Sequence, residues 1–265
     1  HSEVGSSYIH FNFTPQQDKA TASLLGDVPH GVTLKEDPIF LGGQGGLVGP
    51  AVIAFGTVTA AGTIWRRDQK KPGRLVVDGV GKRLEKPYTQ GMYRSVKRIV
   101  QNNVEYMANL VALLRWYVHV RAAFARGPLE DALHQGLVEN VKTAIDERIR
   151  RFYDFCEKAG HSARLQQELS GGSDTSASQA RLLAQKKELY EKRDALAETF
   201  RRFADQAQDT TGGEHFLCLL PEQPGQYLEF IQSLAPEEAG TASVWLSAVV
   251  SDMRSRVMKL LGTIG

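Results

Sequence analysis

The sequence predicts a multidomain α+β protein in which a parallel β-helix of hexapeptide repeats is followed by an α-helical bundle. Three observations lead to this prediction: a six-residue spacing of apolar side chains before Asp68, a basic segment after it, and a helical spacing of apolar side chains from Tyr93 onward. The predicted domains are a β-helix over residues 1–68, a basic extended linker over 69–92 and a helical bundle over 93–265.

Composition limits the class of protein. The 265 residues are 42% apolar and 23% charged, with a formal net charge of +2, which is typical of a globular protein with one or two sizeable cores. Cys156 and Cys218 lie far apart, so neither a disulfide framework nor a thiolate metal site is expected. This cysteine usage favours a reducing compartment, and we expect a cytoplasmic protein. Because neither a methionine nor a signal-peptide pattern opens the chain, we expect it to be a fragment of a longer protein.

The repeat lies in the glycine-rich stretch LGGQGGLVGPAVIAFGTVTAAGTIW, residues 41–65. A membrane span is disfavoured by its glycines, Gln44 and Pro50, because glycine and proline are the weakest helix formers. A phosphate-binding loop is disfavoured because no Lys-Ser/Thr pair follows the glycines. Written in sixes, the stretch places bulky residues in one phase and small residues two positions earlier, as stacked turns of a triangular coil require. The first phase contains Leu41, Leu47, Ile53, Thr59 and Trp65, and the second contains Ile39, Gly45, Ala51, Thr57 and Thr63.

Two polar insertions, residues 13–24 and 29–37, interrupt the repeat, and loops of this kind carry function in repeat folds. The first insertion opens with an asparagine-aromatic loop followed by a lysine, and glycine and aliphatic residues recur around it. These residues are Val4-Gly5, Ile9, Asn12, Phe13, Lys19, Leu25-Gly26-Asp27, Phe40-Leu41-Gly42, Leu47-Val48-Gly49-Pro50 and Ala60-Ala61-Gly62-Thr63. Together they resemble the acetyltransferase half of the bifunctional N-acetylglucosamine-1-phosphate uridyltransferase/glucosamine-1-phosphate acetyltransferase. The resemblance covers about the first 68 residues, and its most specific part is the asparagine-aromatic loop with its lysine.

This resemblance implies a left-handed parallel β-helix, truncated here at its N-terminus, that works as a homotrimer in UDP-N-acetylglucosamine biosynthesis. It implies transfer of an acetyl group from acetyl-CoA to an amino-sugar phosphate, with Asn12 contacting the sugar phosphate and Lys19 reaching it from the loop. Small residues would line the acetyl-CoA groove, since a cofactor can approach a coil corner only where side chains are minimal. They are Gly5, Ser6, Gly42, Gly43, Ala60 and Ala61.

The catalytic base is expected upstream, because the family carries it on a histidine in a G-H-x-x-Y-[LIV]-G motif before the asparagine loop. Within the chain, His10 is the candidate base, as it stands two residues before Asn12 in the inward phase. The alternative is that His10 is a neutral, hydrogen-bonded residue that fills the coil. Thr14-Pro15 in place of Asp-Gly, and Glu3 in place of an asparagine, depart from the family pattern. A nucleotidyltransferase half is also expected upstream.

A basic strip follows the repeat. Between Arg66 and Arg98 the chain has eleven Lys or Arg against three acidic residues, a local net charge of +8. Arg66 and Arg67 are predicted to assist binding of CoA or sugar phosphates, because cationic side chains favour anions; a solvated linker is the alternative. A nucleic-acid partner is not expected, since the strip has neither interleaved aromatics nor a docking motif. We expect no metal site and no membrane contact.

Apolar residues recur every three and four positions from Tyr93 onward, which predicts a long helix to about Phe124 that ends at Arg126-Gly127-Pro128. Further helices are predicted over residues 129–159, ending at Gly160, over 180–208 and over 241–261, with helix-capping serines in the connection 169–179. Helices with such stripes pack into a bundle, and its aromatic residues are expected in the core.

Two functions follow from these patterns. In the first, the chain is the C-terminal part of a sugar-nucleotide pathway enzyme, a hexapeptide-repeat N-acetyltransferase whose partner is a sugar phosphate or a nucleotide sugar. In the second, it is a non-catalytic trimerisation or partner-binding module that keeps the fold without the chemistry. A G-H-x-x-Y motif before His1 would favour the first, and its absence would favour the second.

Overall fold

The computed structural model describes residues 22–78, 89, 91–170, 176–222 and 225–264. Helices make up 61% of these residues. The helices are α1 (Val28–Gly31), α2 (Lys97–His119), α3 (Pro128–Ser170), α4 (Ala177–Glu191), α5 (Arg193–Asp205), α6 (Glu214–Leu217), α7 (Tyr227–Ser233) and α8 (Pro236–Leu260), and a 3₁₀ turn covers Arg121–Phe124.

The strands of the described residues have two residues each. They form small parallel sheets in the orders β1-β4, β2-β5-β7 and β3-β6. Phe40 pairs with Val58, which shares its hexad phase, so strands of one phase lie side by side. Val58 pairs in turn with Leu75 of β7, which lies outside that phase. The strands are β1 (Leu24–Leu25), β2 (Phe40–Leu41), β3 (Gly46–Leu47), β4 (Val52–Ile53), β5 (Val58–Thr59), β6 (Ile64–Trp65) and β7 (Leu75–Val76).

The prediction of a left-handed parallel β-helix built from a hexapeptide-repeat coil is wrong. Within the described ranges the sheets have two or three strands each, and none of them closes or curls. The physical reason is the short run of the repeat, which covers residues 39–65: a stacked coil needs several turns before it buries its own apolar face. Helices therefore supply most of the core.

The strand segment spans residues 24–76, and within its repeat, residues 39–65, every buried position nevertheless belongs to one of the two hexapeptide phases. Ala51, Ile53, Thr57 and Thr59 are buried, whereas Val58, between two of them, is 38% exposed. Successive side chains of a strand point to opposite faces, so short parallel strands produce this alternation by themselves. The spacing thus reports burial and strand register without requiring a coil.

Polar contacts at the start of α2 fix the strand segment on the helices. The Arg98 guanidinium donates to the backbone oxygens of Arg66 (2.8 Å) and Pro50 (3.1 Å) and to the Asp68 carboxylate (3.2 Å). One turn further along α2, the Asn102 amide also donates to the Pro50 oxygen, at 3.0 Å. These side chains satisfy backbone acceptors that the loops of the strand segment leave unpaired. We call this set of contacts the α2 joint.

Helix α1 extends the contact between strands and helices. Val28 and Val32 are fully buried in the same core as the long helices. The backbone N–H of Val28 donates to Oδ1 of Asn109 in α2 at 2.8 Å, and Lys35 Nζ donates to the Leu234 oxygen at 2.8 Å. Helix α1 of the strand segment therefore belongs to the core of the bundle.

Most of the aromatic residues in the described part of the bundle belong to its core, as predicted. Trp116, Phe152, Phe200 and Trp245 are among its largest fully buried side chains. The Phe152 and Phe200 rings meet edge to face with their centroids 5.5 Å apart, an arrangement that aromatic pairs prefer. Helices α2, α3, α5 and α8 contribute most of these residues.

Several helix ends differ from the predicted ones. Helix α3 continues through Gly160 to Ser170, and the helix predicted over 180–208 breaks at Lys192 into α4 and α5. Gly160 is needed for packing: a Cβ there would lie 2.6 Å from the ring of Tyr190 in α4. The predicted capping serine is confirmed, since Oγ of Ser176 accepts from the Gln179 N–H at 3.3 Å at the start of α4.

Glu188 of α4 binds the segment that follows α8 through hydrogen bonds. Its carboxylate accepts hydrogen bonds from the N–H groups of Gly262 and Thr263, both at 2.9 Å, from the Thr263 hydroxyl, and from Lys192 Nζ at 2.7 Å. Burial raises the pKa of Glu188, but these hydrogen bonds outweigh burial and lower it to about 2.

We expect Glu188→Gln to lower the free energy of unfolding at neutral pH by about 1–3 kcal/mol, because hydrogen bonds to a charged group are lost. The folded pKa lies below that of an unfolded glutamate, about 4.3, so this stabilisation is present above that pH and declines as the pH falls towards 2. Urea unfolding at a series of pH values in this range should give free energies of unfolding for the wild type and for Glu188→Gln that converge in acid. Glu198→Gln, a 60% exposed glutamate of α5, is the matched control. If the free energies of unfolding of the wild type and Glu188→Gln differ by the same amount at every pH, this role of Glu188 is contradicted.

Candidate functional site

The predicted site residues divide into two groups. Gly5, Ser6, His10, Asn12 and Lys19 lie outside the described residues, so the roles given to them stay predictions. The remaining residues lie in the strand segment or directly after β6. They are Gly42, Gly43, Ala60, Ala61, Arg66 and Arg67.

Gly42 and the Ala60-Ala61 pair are in direct contact, and packing accounts for their small side chains. A Cβ on Gly42 would lie 2.4 Å from the carbonyl carbon of Ala60 and 2.5 Å from the nitrogen of Ala61. The Gly42 N–H also donates to the Thr59 hydroxyl at 2.9 Å. The close approach of two backbone segments therefore requires glycine at position 42, independently of any ligand.

Gly43 and Gly46 differ from Gly42, because little in the fold occupies the space beside them. A Cβ on Gly43 would meet no atom within 4 Å, and one on Gly46 would meet only Cγ2 of Ile64, at 3.8 Å. Neither glycine has a positive φ that would require the residue type. Their backbone borders a cavity of about 260 Å³, which we call the glycine-lined cavity. Its lining consists of residues 41–47 together with Thr59, Thr63 and Trp65.

Two side chains of the glycine-lined cavity have polar atoms without a partner. The Thr63 hydroxyl and the Trp65 indole N–H are shielded from water and make no hydrogen bond within the described part of the chain. An unpaired buried polar group costs roughly 1–3 kcal/mol, so such groups are rare unless something else binds there. Gln44, in the same lining, has a φ of 55°, a conformation that is unfavourable for a residue other than glycine and clusters at functional sites.

Sequence reasoning did not assign Thr63 and Trp65 to the site. Both occupy the phases of the hexapeptide spacing in which core residues are expected, and the spacing gives no sign that their polar atoms lack partners. The choice of threonine and tryptophan where an aliphatic residue would serve is the one signal in the sequence that could have identified them.

Positive charge lies next to the cavity in sequence, directly after β6. Five residues between Trp65 and β7 are exposed cations, and none of them forms an ion pair with a residue that the structure describes. Their charge is therefore available to an anion from solution. The five cations are Arg66, Arg67, Lys70, Lys71 and Arg74.

A second cavity, of about 290 Å³, lies where the strand segment meets α2 and α8. Asp27, on its wall, caps α1: its Oδ1 accepts from the His30 N–H at 2.9 Å and lies 2.6 Å from His30 Nδ1, and this hydrogen bond raises the pKa of His30. Glu105, also on the wall, faces Arg254 at 3.8 Å, and burial raises the pKa of Glu105. Both carboxyl groups thus have partners within the fold.

The described residues contain no group of three or more His, Cys, Asp or Glu side chains placed to hold a metal ion. Among their helices, none combines the length and the apolar character needed to cross a bilayer. Both thiols are free; Cys218 is exposed, whereas burial raises the pKa of Cys156 to about 12.

Comparisons of the chain with known protein families, curated proteins and solved structures find no match.

Proposed function

We propose that the glycine-lined cavity binds the acyl arm of acetyl-CoA, and that the chain is the C-terminal part of a sugar-nucleotide pathway acetyltransferase acting on an amino-sugar phosphate. One observation carries the proposal: open backbone at Gly43 and Gly46 lines the same cavity as Thr63 and Trp65, whose hydroxyl and indole N–H have no partner among the described residues. The pantetheine arm of the coenzyme is narrow and carries amide groups, which pair with backbone and hydroxyl groups of this kind.

Size and charge support the same ligand. A cavity of about 260 Å³ is smaller than the roughly 300–1,000 Å³ that a complete drug-sized ligand occupies, so it would take only the arm and the acetyl group. The nucleotide end would stay outside with its phosphates. Arg66 and Arg67 follow the cavity residue Trp65 directly and are exposed, which suits them to those phosphates.

The proposed reaction is attack of a neutral amine on the thioester carbonyl. A C–N bond forms, the C–S bond breaks, a base takes the amine proton, and the coenzyme leaves as a thiol after gaining a proton. A backbone N–H would stabilise the negative oxygen of the intermediate. In this proposal His10 is the candidate base, and Asn12 and Lys19 hold the sugar phosphate. The reaction is assigned to the cytoplasm, in keeping with the free thiols of Cys156 and Cys218.

Titration calorimetry with acetyl-CoA tests this function. We expect a dissociation constant of about 1–100 µM, weakened at least tenfold by Gly43→Val, because the added side chain would enter the cavity. Gly136→Val is the matched control, since Gly136 of α3 also has open space around its Cβ position but lies in the bundle. No binding at about 1 mM acetyl-CoA by the folded chain would overturn the proposal.

A self-assembling module is the second candidate, and one surface favours it. Phe40, Val58 and Leu75 form a row across sheet β2-β5-β7 and are 62%, 38% and 71% exposed. Parallel sheets are almost always covered on both faces, so further copies of the chain, as in a homotrimer, would bury this row. Analytical ultracentrifugation should then find a trimer that Val58→Glu dissociates and that Leu169→Glu, on a 64% exposed leucine of α3, leaves intact. A monomeric wild-type chain would exclude this candidate.

A further inference from the structure

The helical bundle has a cavity of its own, of about 420 Å³. It lies between the 3₁₀ turn Arg121–Phe124, the first turns of α3 and the start of α7. Its volume lies within the range of pockets that bind small molecules. None of its lining residues belongs to the strand segment, and we call it the bundle cavity.

The wall of the bundle cavity combines an aromatic and leucine surface with polar side chains. Phe124 packs against Tyr227 and Phe230, with ring centroids 5.4 Å and 5.2 Å apart, which holds this aromatic surface in place. At the edge of the cavity, Leu133 of α3 and Leu228 of α7 are 62% and 55% exposed. Large apolar side chains that are exposed together at the rim of a cavity mark a binding surface for an apolar group.

Two arginines stand on the same wall. The guanidinium carbon of Arg121 lies 3.9 Å from the centre of the Tyr227 ring, and Arg126 donates to the Glu222 backbone oxygen at 2.9 Å. Each guanidinium is thus positioned by the fold, yet neither forms an ion pair with a carboxylate of the described residues. Glu130 is the acidic residue among the described residues of the lining.

We propose that the bundle cavity binds an amphipathic carboxylate, such as a medium-chain fatty acid, with its carboxylate at Arg121 and Arg126. A guanidinium pairs with a carboxylate through two parallel hydrogen bonds, which a neutral or cationic headgroup cannot match. The chain of the acid lies against Phe124, Leu133 and Leu228 and is removed from water there. Glu130 disfavours a doubly charged headgroup such as a phosphate monoester, because its like charge repels two negative charges more than one. This site is independent of the glycine-lined cavity and of acetyl transfer.

Calorimetric titration of the whole chain with sodium octanoate tests the proposal. For a ligand of this size we expect a dissociation constant on the order of 0.1–1 mM, with octylammonium binding at least tenfold more weakly. Arg126→Gln and Leu133→Glu should each weaken octanoate binding at least tenfold. The first variant removes a partner of the carboxylate, and the second places a negative charge where the acyl chain packs. Both positions are exposed, so the fold is retained, as circular dichroism should verify.

Matched controls are available elsewhere on the surface. Arg202→Gln, on a side chain that is 69% exposed, and Leu169→Glu, at 64% exposure, should leave octanoate binding unchanged. Equal binding of octanoate and octylammonium, or octanoate binding that survives both cavity variants, would overturn the proposal, since apolar contact alone would then explain it. Failure of octanoate to bind at about 10 mM would overturn it as well, and binding of an acidic amphipathic peptide in that case would assign the surface to a protein partner.

Discussion

Gly42→Ala is expected to lower the free energy of unfolding by about 1–3 kcal/mol, whereas Gly43→Ala should change it by less than about 0.5 kcal/mol. The difference arises because a Cβ at position 42 would lie 2.4 Å from the Ala60 carbonyl carbon, while one at position 43 meets no atom within 4 Å. The clash is with backbone, so it can be relieved only by separating β2 from β5. Urea unfolding followed by tryptophan fluorescence measures both values.

The same two variants separate a structural glycine from a ligand-contacting one. If the glycine-lined cavity binds acetyl-CoA, Gly43→Ala should weaken that binding while the free energy of unfolding stays near that of the wild type. Equal destabilisation by the two substitutions would show that the space beside Gly43 is not open in solution, and the assignment of the cavity would fail with it.

Trp116→Ala should have the largest effect, a loss of about 3–5 kcal/mol. The indole is fully buried, stacks on Phe216 with a centroid separation of 5.3 Å, and donates from Nε1 to the Tyr227 hydroxyl at 3.1 Å. Alanine leaves a cavity at the centre of the core and removes this hydrogen bond. Scanning calorimetry should show a midpoint lower by roughly 10 °C or more.

Phe40→Ala provides the control for that measurement. Phe40 is 62% exposed, so removal of its ring should change the unfolding temperature little in a monomeric sample. A Trp116→Ala variant with a midpoint close to that of the wild type would mean that the core around α2 repacks freely, contrary to the dense packing of protein interiors.

The helical bundle was the more predictable part of the chain. Val100, Met107 and Leu114, which share the apolar stripe of α2, are all buried, because a helical period directly reports which face meets the core. The continuation of α3 through Gly160 was not predictable, since glycine normally marks a helix end. Its reason lies in Tyr190, thirty residues away, and a local pattern carries no information about such a contact.

The six-residue period predicted buried positions and strand pairing within the repeat, but the β-helix inferred from it was wrong. It identified buried positions such as Ile53 and Thr57, and strands that share a phase do pair, as Phe40 and Val58 show. Burial and pairing are local properties, whereas a coil requires enough successive turns to enclose a core. The period cannot specify that number, and α1 already packs with α2 and α8 rather than with further turns.

The role given to the small residues of the candidate site stays a prediction. The resemblance named Gly42, Gly43 and the Ala60-Ala61 pair together, but it could not separate Gly42, which packs against that pair and is required by packing, from Gly43, which is not. The unpaired groups of Thr63 and Trp65 emerge only when every buried donor and acceptor is matched in three dimensions.

The α2 joint has a consequence for how such a chain can evolve. Arg98 and Asn102 belong to the helices by sequence, yet they complete the hydrogen bonds of Pro50, Arg66 and Asp68 in the strand segment. Recombination that replaced the bundle with an unrelated domain would leave those acceptors without partners where the two parts meet. A change on either side of this junction therefore constrains what the other side can accept.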